Sequence, residues 1–123
     1  MRSRKILVVE DDPLIGLDLC DMVADGGYVP EGPLATVAAA LERIGDTEVD
    51  AALLDVRLGN ELVTPIADAL ARIHVPFMFL TGYAKRDVPT PYGDRPVIEK
   101  PCTPAQLIAK IGAVLGCAQA SGA

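Results

Sequence analysis

Nowhere does the sequence hold an apolar run approaching the ~20 residues that a membrane-spanning helix needs. Its basic start, Met1-Arg-Ser-Arg-Lys, is followed only by Ile6-Leu-Val-Val before the acids Glu10, Asp11 and Asp12. That stretch is too short for a secretory segment and reads as a first strand, so a cytoplasmic location and no membrane partner are expected. Cations are scarce as well: 11 Lys and Arg face 17 Asp and Glu, a net charge of -6. A nucleic-acid footprint needs clustered cations, so direct nucleic-acid binding is not expected. The three cysteines, Cys20, Cys102 and Cys117, are far apart and form no C-x-x-C pair. They suggest neither a disulfide framework nor a zinc site and read as free thiols in apolar helical surroundings. The one histidine, His74, has no second histidine or nucleophile near it in sequence and reads as a loop or helix-end residue.

What is present is the composition of a compact domain. Of 123 residues half are hydrophobic and 23% are charged, enough apolar surface to offset chain entropy on one core. The expectation is one domain over residues 1–123, with a core of about 4–117, a short polar tail at 118–123 and no output domain.

Strand and helix patterns alternate. Lys5-Ile-Leu-Val-Val-Glu10 is a β-branched run typical of a buried parallel strand. Ile15, Leu19, Met22 and Val23 then recur at helical spacing before the stop Gly26-Gly27. Tyr28-Val-Pro-Glu is a weak strand that Pro30 and Pro33 push to a sheet edge, and Thr36 caps a helix carrying Val37, Leu41 and Ile44. Val49 to Asp55 is a third strand. After Gly59-Asn60 a helix with Leu62, Ile66, Ala69, Leu70 and Ile73 follows, with Pro65 in its first turn. Val75 to Leu80 is the fourth strand, ending at Thr81-Gly82. Pro89, Pro91 and Gly93 leave at most one turn of helix before a short fifth strand, Pro96-Val-Ile-Glu. Thr103 caps a last helix with Pro104 at its first position, Leu107, Ile108, Ile111, Val114 and Leu115 on one face, and Gly116 as its end. The order predicts an α/β fold: a doubly wound parallel sheet with right-handed crossovers.

Such sheets place their sites at the carboxyl ends of the strands. There the sequence puts Glu10 and Asp11, Asp55, Thr81 and Lys100. Gathered carboxylates repel one another, and a hard divalent cation, with Mg2+ the natural choice, relieves that. A carboxylate can also attack phosphorus, and the charge that develops on the phosphoryl oxygens then calls for an ion, a cation and a hydroxyl donor. Lys100 and Thr81 supply the last two.

These residues resemble the response-regulator receiver domains of two-component signalling. The resemblance spans residues 4 to about 117 and rests on Ile6-Leu-Val-Val-Glu-Asp-Asp, Leu54-Asp55, Thr81 after an apolar strand, and Lys100-Pro101, in the family's order. Phe79-Leu80-Thr81-Gly82-Tyr83, with Leu54-Asp-Val-Arg-Leu-Gly before it, further resembles the FAT GUY subgroup of stand-alone receivers. The resemblance implies a single-domain flavodoxin-like (β/α)5 fold with strand order 2-1-3-4-5, its fourth helix short or missing here. It implies that Asp55 accepts a phosphoryl group from a histidine kinase or histidine phosphotransfer protein. It also implies Mg2+ held by Asp11, by Glu10 through water, by Asp55 and by the backbone carbonyl of Arg57. Thr81 and Lys100 would bind the phosphoryl group, Pro101 would follow a cis peptide, and Asp12 would face solvent or start the first helix.

Two positions depart from the pattern. Val97 occupies the place, three before Lys100, where most receivers carry an aromatic, so the switch is expected to propagate through Gly82-Tyr83 instead. Arg57 and Tyr83, two residues after Asp55 and Thr81, are poorly suited to position an attacking water, which implies slow to moderate self-dephosphorylation. The protein is thus read as a signalling switch rather than an enzyme, a monomer or weak dimer, with a downstream protein partner that the sequence does not identify. Two alternatives remain at this point: a receiver-like module that binds proteins without phosphorylation, and a Mg2+-dependent aspartyl-phosphate hydrolase. The second would need an acid where Arg57 stands.

Overall fold

The computed structural model describes residues 3–82 and 88–122. Its order is β1 (Lys5–Val9), α1 (Pro13–Asp25), β2 (Val29–Leu34), α2 (Val37–Asp46), β3 (Ala51–Asp55), β4 (Arg57–Leu58), β5 (Glu61–Leu62), α3 (Thr64–Arg72), β6 (Phe77–Thr81), a 3-10 turn (Thr90–Tyr92), β7 (Val97–Glu99) and α4 (Pro104–Gly122). Five strands form one parallel sheet in the order β2-β1-β3-β6-β7. With the small β4-β5 hairpin set aside, this is the expected 2-1-3-4-5 order, and among the described residues only one 3-10 turn stands where a fourth helix would be.

Alternation along the strands splits the core in two. Leu7, Leu54, Phe77 and Phe79 face α2 and α3 side partners such as Ala40, Ile66 and Leu70. Ile6, Val8, Leu53, Met78 and Leu80 pack with Leu19 and Val23 of α1 and Leu107 and Ile111 of α4. Burying one such side chain contributes roughly 1.5–3 kcal/mol, which is why the central strands need no polar face.

The edge strand β2 follows β1 closely, and glycine permits this. Gly32 adopts φ 134°, and a Cβ there would lie 2.5 Å from the Val8 carbonyl oxygen, so a side chain would force the strands apart. Gly16 of α1 plays the matching part, since its Cβ would lie 2.6 Å from Cβ of Pro33.

Caps set the helix starts. Asp12 accepts from the amides of Leu14 (2.9 Å) and Ile15 (3.2 Å), so it starts α1 and points to solvent. In Thr103-x-x-Gln106 each side chain bonds the other's amide, at 3.1 and 2.9 Å, forming a reciprocal capping box. Asp12→Ala is expected to lower unfolding free energy by about 1 kcal/mol in chelator, measured by urea denaturation; an unchanged midpoint would rule out the cap as a stabilising contact. His74 is a helix-end residue as expected. It takes φ 60° after the last turn of α3, where its amide bonds the Ala71 carbonyl at 3.1 Å.

Several expectations need correction. α4 continues past Gly116 to Gly122, because a glycine with open space around it adds no clash and the following Ala118-Gln-Ala favours helix. Leu62 belongs to the β4-β5 hairpin, not to α3, and is 76% exposed; α3 starts at Thr64 with Pro65 in its first turn. Ile15 is surface-exposed, and Gly16 and Cys20 take the buried places beside Leu19. Ile73 caps α3 half exposed rather than joining the core. Cys20 is a buried free thiol, whereas Cys102 lies in the loop before α4 and not in a helix. Cys117 lies in α4 with its side chain outside the described residues.

Candidate functional site

All five parallel strands end at one edge, and chain order reverses beside β1, which pairs with β2 on one side and β3 on the other. That crevice is where this class of sheet opens to ligands. Glu10 and Asp11 follow β1 directly, and Asp55 is the last residue of β3. One carboxylate oxygen from each of the three lies within 4.8 Å of the others. Glu10 and Asp55 are buried, while Asp11 faces solvent at the mouth.

Lys100 comes from the turn after β7, whose pairing with β6 fixes its approach: its own amide bonds the Thr81 carbonyl at 2.8 Å. Its Nζ lies 2.5 Å from Glu10 Oε1 and 3.0 Å from Asp55 Oδ2. The peptide to Pro101 is cis. Thr81, at the end of β6, is 2% exposed, and Gly82 after it is exposed. The Arg57 amide donates to Asp55 Oδ1 at 3.2 Å, and the Asp12 amide donates to Glu10 Oε2 at 3.2 Å. Glu10 and Asp11, Asp55, Thr81 and Lys100 therefore come from four separate strand ends onto one edge. Tyr83 lies outside the described residues.

The electrostatics follow from burial. Desolvation is the largest cause that pushes the Glu10 carboxyl up to about 7, helped by the Asp55 carboxylate and opposed by Lys100 and the Asp12 amide. Burial would lower the Lys100 ammonium, yet its hydrogen bonds to Glu10 and Asp55 outweigh this and hold it above the ordinary lysine value. One ammonium against three carboxylates leaves a net negative crevice. A divalent cation bound by oxygen ligands would offset that excess, and the donor set of carboxylates fits Mg2+.

Sequence reasoning missed two parts of this region. The β4-β5 hairpin was not foreseen. Its Gly59, at φ 59°, makes the turn beside Asp11, where a Cβ would lie 3.7 Å from Oδ2. Its Glu61 accepts from the Val37 amide at 3.1 Å, so it also caps α2. Two-residue strands are below what periodicity can show. The direct Glu10–Lys100 pair was not foreseen either, because the two residues are 90 positions apart.

No family model matches the chain. The phyllosphere-induced regulator PhyR of Methylorubrum extorquens is 31% identical over 120 residues, which cover 92% of this chain and 44% of PhyR. The chain spans less than half the length of the curated relatives it matches. Among solved structures, the BeF3-activated conformation of SdrG from Pseudomonas melonis Fr1 is 43% identical, covers 94% of this chain and 99% of SdrG, and superposes with a TM-score of 0.78. A CheY-like response regulator receiver domain protein from Methanospirillum hungatei JF-1 is 26% identical with a TM-score of 0.85, covering 98% of this chain and 99% of the other.

Proposed function

The chain belongs to the response-regulator receiver family, and from that premise we propose that it is a phosphorylation switch in which Asp55 accepts a phosphoryl group from a histidine kinase or histidine phosphotransfer protein. The observation that carries this reading is the meeting of three carboxylates from Glu10, Asp11 and Asp55 with the Lys100 ammonium 3.0 Å from Asp55 Oδ2. Within the family we assign the chain to the FAT GUY subgroup, on Phe79-Leu80-Thr81-Gly82-Tyr83.

In this mechanism a carboxylate oxygen of Asp55 forms the bond to phosphorus. The bond from phosphorus to the donor breaks, and the leaving group departs with the electron pair and takes up a proton from solvent. The Thr81 hydroxyl donates to a phosphoryl oxygen, and Lys100 turns from the bare carboxylates to the new anion. Arg57 holds Asp55 through its amide, and its backbone carbonyl would join Asp11, Asp55 and, through water, Glu10 in holding Mg2+. Bound there, Mg2+ supplies neutralisation of charge on the phosphoryl oxygens. Two features support an aspartyl phosphate that persists. Arg57 stands two residues past Asp55, where a hydrolase needs an acid, and Tyr83, two residues past Thr81 in sequence, is neither a carboxylate nor an amide suited to position water. Support also comes from SdrG, solved in a BeF3-activated form, since trifluoroberyllate copies a phosphoryl group in shape and charge.

The first test is the intact mass of the protein after incubation with acetyl phosphate, with and without Mg2+. One Mg2+-dependent phosphoryl adduct is expected, and no adduct where a control receiver is modified would overturn the reading.

Metal linkage and pH give a second check. In chelator, Glu10 keeps its proton to about 7 in the folded protein but loses it near 4.5 when unfolded. Between those values the unfolded state binds fewer protons, so unfolding free energy is expected to fall as pH rises from 4.5 to 7. Glu10→Gln should flatten that slope in denaturant titrations. Adding Mg2+ at a hundredfold excess over Kd should restore about 2.7 kcal/mol at the upper end. A Tm at neutral pH that is indifferent to Mg2+ would count against the metal site.

A further inference from the structure

The aromatic that most receivers carry three residues before the lysine is Val97 here, and the structure fills that part of the sheet from elsewhere. Val97 pairs in register with Phe79, and the ring laid beside them belongs to Tyr92, from the 3-10 turn Thr90–Tyr92. The Tyr92 ring centroid is 5.3 Å from that of Phe77 and 6.5 Å from that of Phe79. Its hydroxyl donates to the Asp68 carboxylate on α3. The Arg95 guanidinium lies 4.5 Å from the Phe77 ring centroid and 5.7 Å from that of Tyr92, which holds the far side of the turn. One side chain thus ties the turn both to the sheet and to α3.

The strand beneath connects this contact to the site. Phe77 and Phe79 belong to one core cluster and Met78 and Leu80 to the other, so alternation puts Thr81 on the Phe77 and Phe79 side of β6. The residue whose hydroxyl would turn to a phosphoryl group is therefore the next member of the row on which Tyr92 rests. Ring packing tolerates a small shift of that row, but a hydroxyl-to-carboxylate bond weakens steeply when its angle and distance change.

We propose that Tyr92 is the aromatic switch residue of this protein: its hydroxyl is latched to Asp68 in the unphosphorylated state and released when Thr81 moves to the phosphoryl group. Release loosens the segment from Val88 to Arg95 and changes the charge pattern of the open groove between α2, the hairpin and α3, which Asp68 lines with Glu61 and Arg72. The inference rests on Asp55 being the phosphoacceptor, and its test separates the two claims.

The experiment is amide hydrogen exchange by mass spectrometry on the full chain with Mg2+, with and without trifluoroberyllate, for the wild type and Tyr92→Phe. Fluorine NMR on the same samples reports whether trifluoroberyllate is bound. In the wild type, exchange across 88–95 is expected to rise about fivefold on activation, the scale of one lost hydrogen bond. In Tyr92→Phe, which keeps the ring and lacks the hydroxyl, exchange should start high and change less than about twofold. Bound fluoride with no change across 88–95 in the wild type overturns the latch and leaves the phosphoacceptor reading standing. An undiminished increment in Tyr92→Phe does the same, because a merely structural hydroxyl would raise both states equally. Absence of a bound fluoride signal sinks the phosphoacceptor reading and the latch with it.

Discussion

Asp55→Asn is expected to take up no phosphoryl group from acetyl phosphate under conditions that modify the wild type, as read by intact mass. The amide matches the carboxylate in shape but lacks its anionic oxygen, so the nucleophile is lost while the fold is kept. The Arg57 amide, 3.2 Å from Asp55 Oδ1, still has an acceptor in the variant if the side-chain oxygen takes that place. One of three crowded carboxylates becomes neutral, so unfolding free energy at neutral pH should be no lower than in the wild type. Loss of the adduct with full stability would assign the chemistry to Asp55 rather than to a collapsed site. An adduct that persists in Asp55→Asn would place the acceptor elsewhere and overturn the mechanism.

The second large effect is expected from Lys100→Met, which keeps most of the aliphatic stem and removes the charge. The ammonium touches Glu10 at 2.5 Å and Asp55 at 3.0 Å, and its side chain is 21% exposed. Without it two buried carboxylates face one another and Asp11 with no cation between them. Removing one partner of a buried pair costs about 3–5 kcal/mol, and the partial exposure brings the expected loss below that range, to about 2–3 kcal/mol in chelator at neutral pH. The loss should shrink below pH 4.5, where Glu10 is protonated in the folded and the unfolded states alike. Mg2+ should recover part of it, since a divalent ion supplies the missing charge. Urea titrations at two pH values, with and without Mg2+, measure all three. A stability loss that ignores both pH and Mg2+ would mean that Lys100 acts through packing alone.

The two variants probe what could be read at different depths. Asp55 was legible because its strand, Ala51-Ala-Leu-Leu-Asp, is an apolar run with an acid at its end, and parallel strands bring such ends to one edge. Glu10 and Asp11 were legible for the same reason. Asp12 was separable from them because a cap must accept from the second and third amides of its helix, and it does so from Leu14 and Ile15. The double role of Lys100 was not legible: nothing in the order of residues says that its Nζ reaches Glu10 as well as Asp55.

The same division runs through the rest of the molecule. By itself the sequence determined the alternation of strands and helices, the edge place of β2, the shortness of the turn at Thr90–Tyr92 and the acids, hydroxyl and lysine at the strand ends. These depend on local periodicity, on proline and glycine, and on capping chemistry, all of which act within a few residues. Tertiary structure alone decided the hairpin with Gly59 beside Asp11, the seating of Tyr92 on Phe77 and Phe79, the Tyr92–Asp68 bond and the sharing of Lys100 between two carboxylates. Each joins residues whose spacing along the chain follows no period, so they are fixed only when the sheet has brought the segments together, and at Lys100 burial raises the cost of leaving a polar group without a partner as well.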